Sequence, residues 1–215
     1  MIDSGELREG EPLPPEREIV VTFGVSRTVV REAVLALANR GLIEARPRHR
    51  PVVRKPGFDA AFETVSDVVG RLLLQTEGVR NLFDSRIMIE VALARQAALD
   101  AGKNDIAALN KALTANEAAI GDMEVFYQTD MAFHAALFQV PRNPLLMSIH
   151  RAYTSWLAPH WLNMPRLVDR NRRNFEDHRR IYDAILMRDA DLAEKAMRLH
   201  LDEAWEQVSR LLAKD

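Results

Sequence analysis

Three histidines and one aspartate have the residue types and the spacing of a divalent-metal site. Asp130 and His134 are four residues apart, so on a helix their side chains project from one face and can bind one ion. His178 and His200 each lie among apolar residues on the buried side of an otherwise charged segment. Burying three imidazoles and a carboxylate without partners is costly, and a shared ion removes that cost. Three nitrogens and one carboxylate oxygen favour a divalent transition metal, zinc or nickel above all, with positions left for a ligand.

Each histidine could instead make its own hydrogen bond in the core. We interpret His49, His150 and His160 in this way, on a wing, on a helix surface and in a loop respectively. These three are therefore expected to lie outside the metal site.

A metal held by histidines and an acid also suggests an enzyme. A hydrolase would need a general base near the metal-bound water, and the sequence contains no HExxH pair. Glu90 or Asp177 could serve as that base. Arg86 could pair with the carboxylate of a bound ligand, or form a salt bridge with Glu90 four residues later.

A second group of residues has the chemistry of a DNA contact. Between Ser26 and Lys55 there are eight basic and two acidic residues, a net charge of +6, whereas residues 56–215 sum to −4. Arg27 and Arg31 share a helix face, and arginine can bind guanine O6 and N7 together. The alternating arginines of residues 46–50 suit a phosphate backbone or a narrow minor groove. A basic surface without a partner is the alternative.

The elements around these residues predict a winged helix-turn-helix. Residues 14–18 open a short helix with proline and acids in its first turn, and residues 24–26 break it. Ser26 can then cap a second helix over 27–40. Gly41 suits the left-handed position past that helix. Residues 42–45 and 51–54 then look like two short strands, so the order is helix, turn, helix and hairpin.

The rest of the chain predicts an all-helical antiparallel bundle. Apolar periodicity places its helices at about 58–75, 79–101, 104–120, 123–139, 144–161, 170–187 and 190–212. Prolines 159 and 165 mark a bent or looped stretch. We expect a DNA-binding domain over 1–55, a linker and connecting helix over 56–78, and a metal- and effector-binding domain over 79–215.

Composition narrows the class of protein. The 215 residues are 47% hydrophobic and 28% charged, as in globular domains, and they contain no cysteine, which excludes disulfides and thiolate metal sites. No apolar run approaches the ~18 residues of a membrane span. We expect a cytoplasmic protein that makes no contact with a membrane.

The first part of the chain resembles the winged-helix head of GntR-family transcription regulators. The resemblance rests on residues 13–18, 24–33, Leu37 and 40–43. It departs from the family at Pro15, where a serine is usual, and at 50–51, where the wing usually has a glycine. Residues 1–5 resemble the end of the family's first helix, most of which we expect to lie upstream. The DNA contacts implied by the resemblance are Arg17, Ser26, Arg27, Thr28, Arg31, Arg48 and His49.

Residues 79–208 resemble the FCD effector domain of the FadR-like subfamily. The marks are Arg86 with Glu90, the stretch 126–134, and the later His178 and His200. By this resemblance the metal helps to hold a small carboxylate effector, with Arg86, Trp156 and Asn174 as effector contacts. The acyl-CoA branch of the subfamily fits less well, and the stretch 156–174 looks like regulators of sugar-acid catabolism, sialic acid being one candidate.

The sequence therefore predicts a homodimeric repressor that binds a palindromic operator and is released by an organic or sugar acid. The alternative is a metal-dependent enzyme with an accessory nucleic-acid-binding head.

Overall fold

The computed structural model describes residues 1–2, 4–46, 49–54, 57–162 and 168–213. They form two compact units, Met1–Asp67 and Val68–Asp215. The described part of the chain contains no helix with both the length and the apolar character of a membrane span.

The first unit is a small helical head with a two-stranded hairpin. Its elements are α1 (Glu16–Phe23), α2 (Arg27–Asn39), β1 (Ile43–Glu44) and β2 (Val52–Val53), and most of α3 (Phe58–Leu72) follows. The strands are antiparallel, with Ile43 opposite Val53. The predicted order of helix, turn, helix and hairpin is confirmed.

The turns form where the sequence supplies the needed backbone or cap. Gly24 ends α1 with φ of 65°, and Gly41 follows α2 with φ of 68°, both in the left-handed region that glycine adopts without a steric cost. The Ser26 hydroxyl accepts the backbone N–H of Val29 at 3.3 Å and caps α2. Pro15 precedes α1 without a side-chain cap, as its lack of a hydroxyl predicts.

A segment before α1 extends the hairpin, which the sequence did not indicate. The backbone N–H of Gly10 donates to Val53 at 2.9 Å, and that of Leu13 donates to Pro51 at 2.8 Å. Leu13 thereby joins Ile43 and Val53 in the core of this unit, where all three are buried.

The second unit is a bundle of long helices. They are the end of α3, then α4 (Thr76–Asp100), α5 (Lys103–Ala118), α6 (Met123–Gln139), α7 (Pro144–Leu162), α8 (Val168–Leu186) and α9 (Ala190–Leu212). All seven predicted helices are present, with ends within about three residues of the predicted ones, as expected from periodicity. The main packing pairs are α4 with α9, α8 with α9, and α5 with α6.

The predicted break near the two prolines is only partly correct. Helix α7 continues through Pro159 to Leu162, and Pro165 lies outside the described residues. His160, expected in a loop, therefore belongs to α7.

Candidate metal centre and DNA-binding surface

Three histidine side chains from α6, α8 and α9 meet in the interior of the bundle. The Nε2 atom of His200 is 3.3 Å from Nε2 of His178 and 3.3 Å from Nε2 of His134. Two nitrogens bound to one zinc ion at ~2.1 Å lie about 3.0–3.4 Å apart at tetrahedral or right angles. The exposed fractions of His134 and His178 are 0%, and that of His200 is 4%.

Asp130 lies beside this cluster, as its spacing from His134 requires. Its Oδ1 is 3.5 Å from Nε2 of His178, and its Oδ2 is 4.0 Å from Nε2 of His134. The structure thus brings the three predicted histidine ligands together, with the more exposed carboxylate of Asp130 beside two of them.

Hydrogen bonds on the opposite side of the rings determine which nitrogens hold protons. His134 Nδ1 donates to the carboxylate of Glu90. His178 Nδ1 donates to Oδ1 of Asn116 at 3.0 Å. The amide of Asn116 is oriented by Thr129, since its Nδ2 donates to the Thr129 hydroxyl at 3.1 Å. In the neutral form of these two rings Nε2 therefore carries the lone pair, which points into the cluster.

The third ring repeats the arrangement less tightly. Nδ1 of His200 is 3.7 Å from a carboxylate oxygen of Asp177 and has no hydrogen bond within the described residues. Such outer partners orient the ring of a metal-ligating histidine.

The environment of His178 disfavours the protonated ring. Burial lowers the pKa of His178 well below its ordinary value, and the neighbouring His200, His134 and Arg86 lower it further. The ring of His178 is therefore neutral near neutral pH. Residues of this type and geometry fit a divalent transition metal.

Glu90 links Arg86 to His134 in the interior, which supports the salt-bridge role considered for Arg86. Arg86 and Glu90 form an ion pair between consecutive turns of α4, with exposed fractions of 4% and 1%. Burial pushes the pKa of Glu90 upward, but Arg86 and His134 outweigh this and hold it far below its usual value. Glu90 is thus an ionised hydrogen-bond acceptor committed to two partners, and Asp177, the other candidate base, is paired with Arg180.

The sequence named Glu90 only as a partner of Arg86 or a base, and it did not single out Asn116. The sequence nevertheless contained a signal for both Glu90 and Asn116. Asn116 follows Leu109 and Leu113 at helical spacing, and Glu90 lies between Ile87 and Ala94, so each is a polar residue on an apolar face.

A cavity of about 480 Å³ opens next to Asp130, between α6 and α8. Asn174, one of the predicted effector contacts, lines it, and so does Trp161. Trp156 instead packs beside the apolar cluster around Phe83. The cavity size is in the range of small-molecule sites.

His150 lies elsewhere than predicted. We expected a helix surface, but its exposed fraction is 7% and its ring packs against Phe138 at a centroid distance of 5.0 Å. Burial lowers its pKa to about 4. It lies outside the cluster of three histidines.

The first turn of α2 exposes the residues expected to contact DNA. Arg27 and Thr28 are exposed, and the Ser26 oxygen that caps the helix leaves its hydroxyl proton available for donation. Arg31 is also exposed, but its guanidinium is 3.2 Å from the Glu16 carboxylate of α1. Arg17 is exposed on α1. In a recognition helix, residues at these N-terminal positions face base edges.

The arginines of the wing that the structure describes are exposed and have partners within the first unit. Arg46 and Arg54 both pair with Glu44, whose pKa is lowered by their hydrogen bonds. Arg50 donates to the backbone carbonyl of Leu13 and so holds the hairpin to the preceding segment. His49 is exposed, whereas Arg48 lies outside the described residues.

Comparison with protein families gives two matches. Residues 1–53 match the model described as "Bacterial regulatory proteins, gntR family", and residues 81–203 match the FCD domain.

Similar sequences include the HTH-type transcriptional repressor NanR of Cronobacter sakazakii, with 34% identity over 98% of this chain and 83% of that protein. NanR of Salmonella typhimurium has 36% identity over 94% of this chain and 78% of that protein.

Among solved structures, Streptococcus agalactiae GntR aligns with a TM-score of 0.64 and 23% identity over 94% of this chain and 92% of that chain. E. coli McbR/YncC aligns with a TM-score of 0.59 and 18% identity over 98% and 92%. At these identities the structures show a shared fold.

Proposed function

Because the chain belongs to the GntR family of bacterial regulatory proteins and carries an FCD domain, we propose that this DNA-binding, ligand-responsive regulator is a repressor released by an acid bound at a metal. The chain is a transcription regulator and not an enzyme. The proposal concerns the metal, the effector, the dimer and the residues that carry them.

The observation that supports the metal and the effector together is that Asp130, which lies beside the cluster, lines the cavity. The Nε2 atoms of His134 and His178 point into the cluster, and Asp130 lies within 4.0 Å of both and lines the cavity. Zinc or nickel held by these residues and His200 would supply a Lewis acid that binds a carboxylate oxygen. A small organic or sugar acid is therefore the proposed effector, with Asn174 beside it.

Arg86 acts indirectly in this proposal. Its charge is committed to Glu90, which accepts the Nδ1 proton of His134. Arg86 thus supports the metal ligand, and it is a positioning residue.

Release from DNA requires that the effector bind one arrangement of the protein more tightly than another. The proposed ligands come from three helices, so an acid that completes the site changes the preferred arrangement of α6, α8 and α9. An allosteric coupling of about 1–3 kcal/mol corresponds to roughly 5–150-fold in operator affinity. Each protomer of the proposed homodimer places one α2 on one half of a palindromic operator, in the cytoplasm where the chromosome lies.

The test measures operator affinity, by fluorescence anisotropy on DNA from upstream of the neighbouring genes, with and without candidate acids. Zinc-loaded protein should lose affinity when the effector is added, and chelated protein should not. His200→Ala should keep DNA affinity and lose this response. His150→Ala is the matched control, since it also replaces a buried histidine but outside the cluster.

Metal content and mass complete the test. Elemental analysis should find about one divalent ion per chain in wild type and in His150→Ala, and much less in His134→Ala. Light scattering should give about twice the 24.4 kDa of one chain. A full effector response in His200→Ala would show that the cluster is only structural and that the effector binds elsewhere.

A further inference from the structure

His178 is held from outside the cluster by an amide, whereas His134 is held by a carboxylate. The ionised carboxylate of Glu90 can only accept, so it fixes the proton of His134 on Nδ1. The side-chain amide of Asn116 lies 3.0 Å from Nδ1 of His178, and an amide can present either its oxygen or its NH2 group. The proton of His178 therefore depends on which way this amide is turned.

The other end of the Asn116 amide faces two acceptors. It lies 3.1 Å from the Thr129 hydroxyl oxygen and 3.5 Å from the backbone carbonyl of Phe126, and a carbonyl oxygen can only accept. The Thr129 hydroxyl donates its single proton to the backbone carbonyls one turn back on α6, those of Val125 and Phe126, each at 2.9 Å. Its oxygen is therefore left to accept as well. Both neighbours require the NH2 group of Asn116 at this end.

These hydrogen bonds transmit a direction from the backbone of α6 to the cluster. With its NH2 group turned to Thr129, Asn116 presents Oδ1 to His178, which must then donate from Nδ1. Nε2 of the neutral ring is left with the lone pair that a metal ion binds. The reverse orientation would bring Oδ1 against the Phe126 carbonyl and place the ring proton on Nε2, where it excludes the ion. Asn116 and His178 are both 0% exposed, so bulk water does not replace a lost partner.

We propose that Asn116 and Thr129 are positioning residues that hold the proton of His178 on Nδ1 and so prepare Nε2 for the metal. The inference rests on the proposed function, which assigns His178 as a metal ligand. Asn116 acts on the ring directly, and Thr129 acts through Asn116. The metal site thus depends on a side chain of α5 as well as on the three helices that carry its histidines.

The first measurement determines the tautomer of His178 in the full chain after a chelator has removed any metal. Long-range nitrogen–proton correlation spectra of histidine-labelled protein distinguish a protonated ring nitrogen from one with a lone pair, and His178→Gln identifies the signals of this ring. Wild type should carry the proton on Nδ1. Thr129→Val should show both tautomers, because the loss of one hydrogen bond shifts such an equilibrium about fivefold or more. Thr129→Ser keeps the hydroxyl and should restore the wild-type spectrum.

The second measurement is zinc affinity, by titration against a competing chelator. Asn116→Leu removes the acceptor of His178 and should weaken zinc binding about 10–100-fold, as for other outer partners of metal-ligating histidines. Asn116→Asp keeps an oxygen that can accept from Nδ1 and should keep zinc affinity near that of wild type.

α5 also provides matched controls. Asn110 and Thr114 are exposed on this helix, and the Thr114 hydroxyl donates to the backbone carbonyl four residues back, as that of Thr129 does on α6. Asn110→Leu and Thr114→Val should leave the His178 tautomer and zinc affinity unchanged.

Any of three results would overturn the inference. They are a proton on Nε2 of His178 in wild type, the Nδ1 tautomer alone in Thr129→Val, and unchanged zinc affinity in Asn116→Leu. If wild type still binds about one zinc ion per chain in those cases, the metal site stands and only the positioning role is wrong. If wild type binds no zinc, the proposed function fails together with the inference. Thr129→Val replaces a hydroxyl with a methyl group on a half-buried side chain, so it gives an answer even if Asn116→Leu does not fold.

Discussion

The buried pair of Arg86 and Glu90 allows a sharp test, because α4 carries a second pair of the same spacing at its surface. Arg80 and Asp84 are also four residues apart, with N and O atoms 2.9 Å apart, but their side chains are 47% and 46% exposed. The side chains of the buried pair are 5% and 1% exposed. Burial is therefore the main difference between the two pairs.

Neutralising one acid in each pair should have very different effects on the free energy of unfolding. Glu90→Gln keeps the shape of the side chain but leaves the charge of Arg86 buried without a counterion. Removing one partner of a buried pair costs about 3–5 kcal/mol. Asp84→Asn should cost no more than about 0.5 kcal/mol, as for exposed pairs of this spacing.

Glu90→Gln should also weaken metal binding, because His134 loses the charged acceptor that orients its ring. Mutation of such outer partners lowers metal affinity about 10–100-fold. Asp84→Asn should leave zinc affinity unchanged.

Urea unfolding at pH 7 in the presence of a chelator measures the change in the free energy of unfolding without a contribution from the metal. All three tryptophans, Trp156, Trp161 and Trp205, lie in the second unit, so their fluorescence reports the unfolding of that unit. Zinc titration against a competing chelator measures the zinc affinity of each variant. Equal small losses of stability in the two variants would refute the argument from burial. A destabilised Glu90→Gln with unchanged zinc affinity would show that Glu90 does not orient His134.

Three further predictions concern other parts of the molecule. Arg27→Ala or Arg31→Ala should weaken operator binding by about 1–3 kcal/mol in anisotropy titrations, and unchanged affinity in both would rule out α2 as the recognition helix. The pKa of His150 is about 4 in the folded protein and near 6.5 in the unfolded chain. As the pH falls, the unfolded state therefore binds the proton first. The free energy of unfolding should fall by about 1–2 kcal/mol from pH 7 to pH 5. His150→Gln should reduce that loss in urea melts, and an unchanged pH slope would contradict the assignment. A Cβ at Gly78 would lie 2.1 Å from a backbone oxygen, whereas one at Gly70 within α3 would meet nothing within 4 Å. Gly78→Ala should therefore lower the thermal midpoint, and Gly70→Ala should raise stability by up to about 1 kcal/mol; equal shifts would contradict the predicted clash.

The sequence determined the elements and the faces that carry the chemistry. Helix periodicity, the Ser26 cap and the positive-φ glycines at 24 and 41 depend on interactions within a few residues, so they can be derived from local sequence. The spacing of Asp130 and His134 fixed their common face for the same reason. The GntR and FCD patterns then gave the order of the two units and their family.

Only the tertiary structure decided which faces meet. Glu90 and His134 are 44 positions apart, Asn116 and His178 are 62 apart, and Arg50 reaches a carbonyl 37 positions away. Periodicity shows that a residue points inward, but it does not show which side chain it meets, because that depends on how each helix is rotated and shifted against its neighbours. The hydrogen-bond partners of the histidines and the burial of His150 follow from that packing, and so they became visible only in the folded chain.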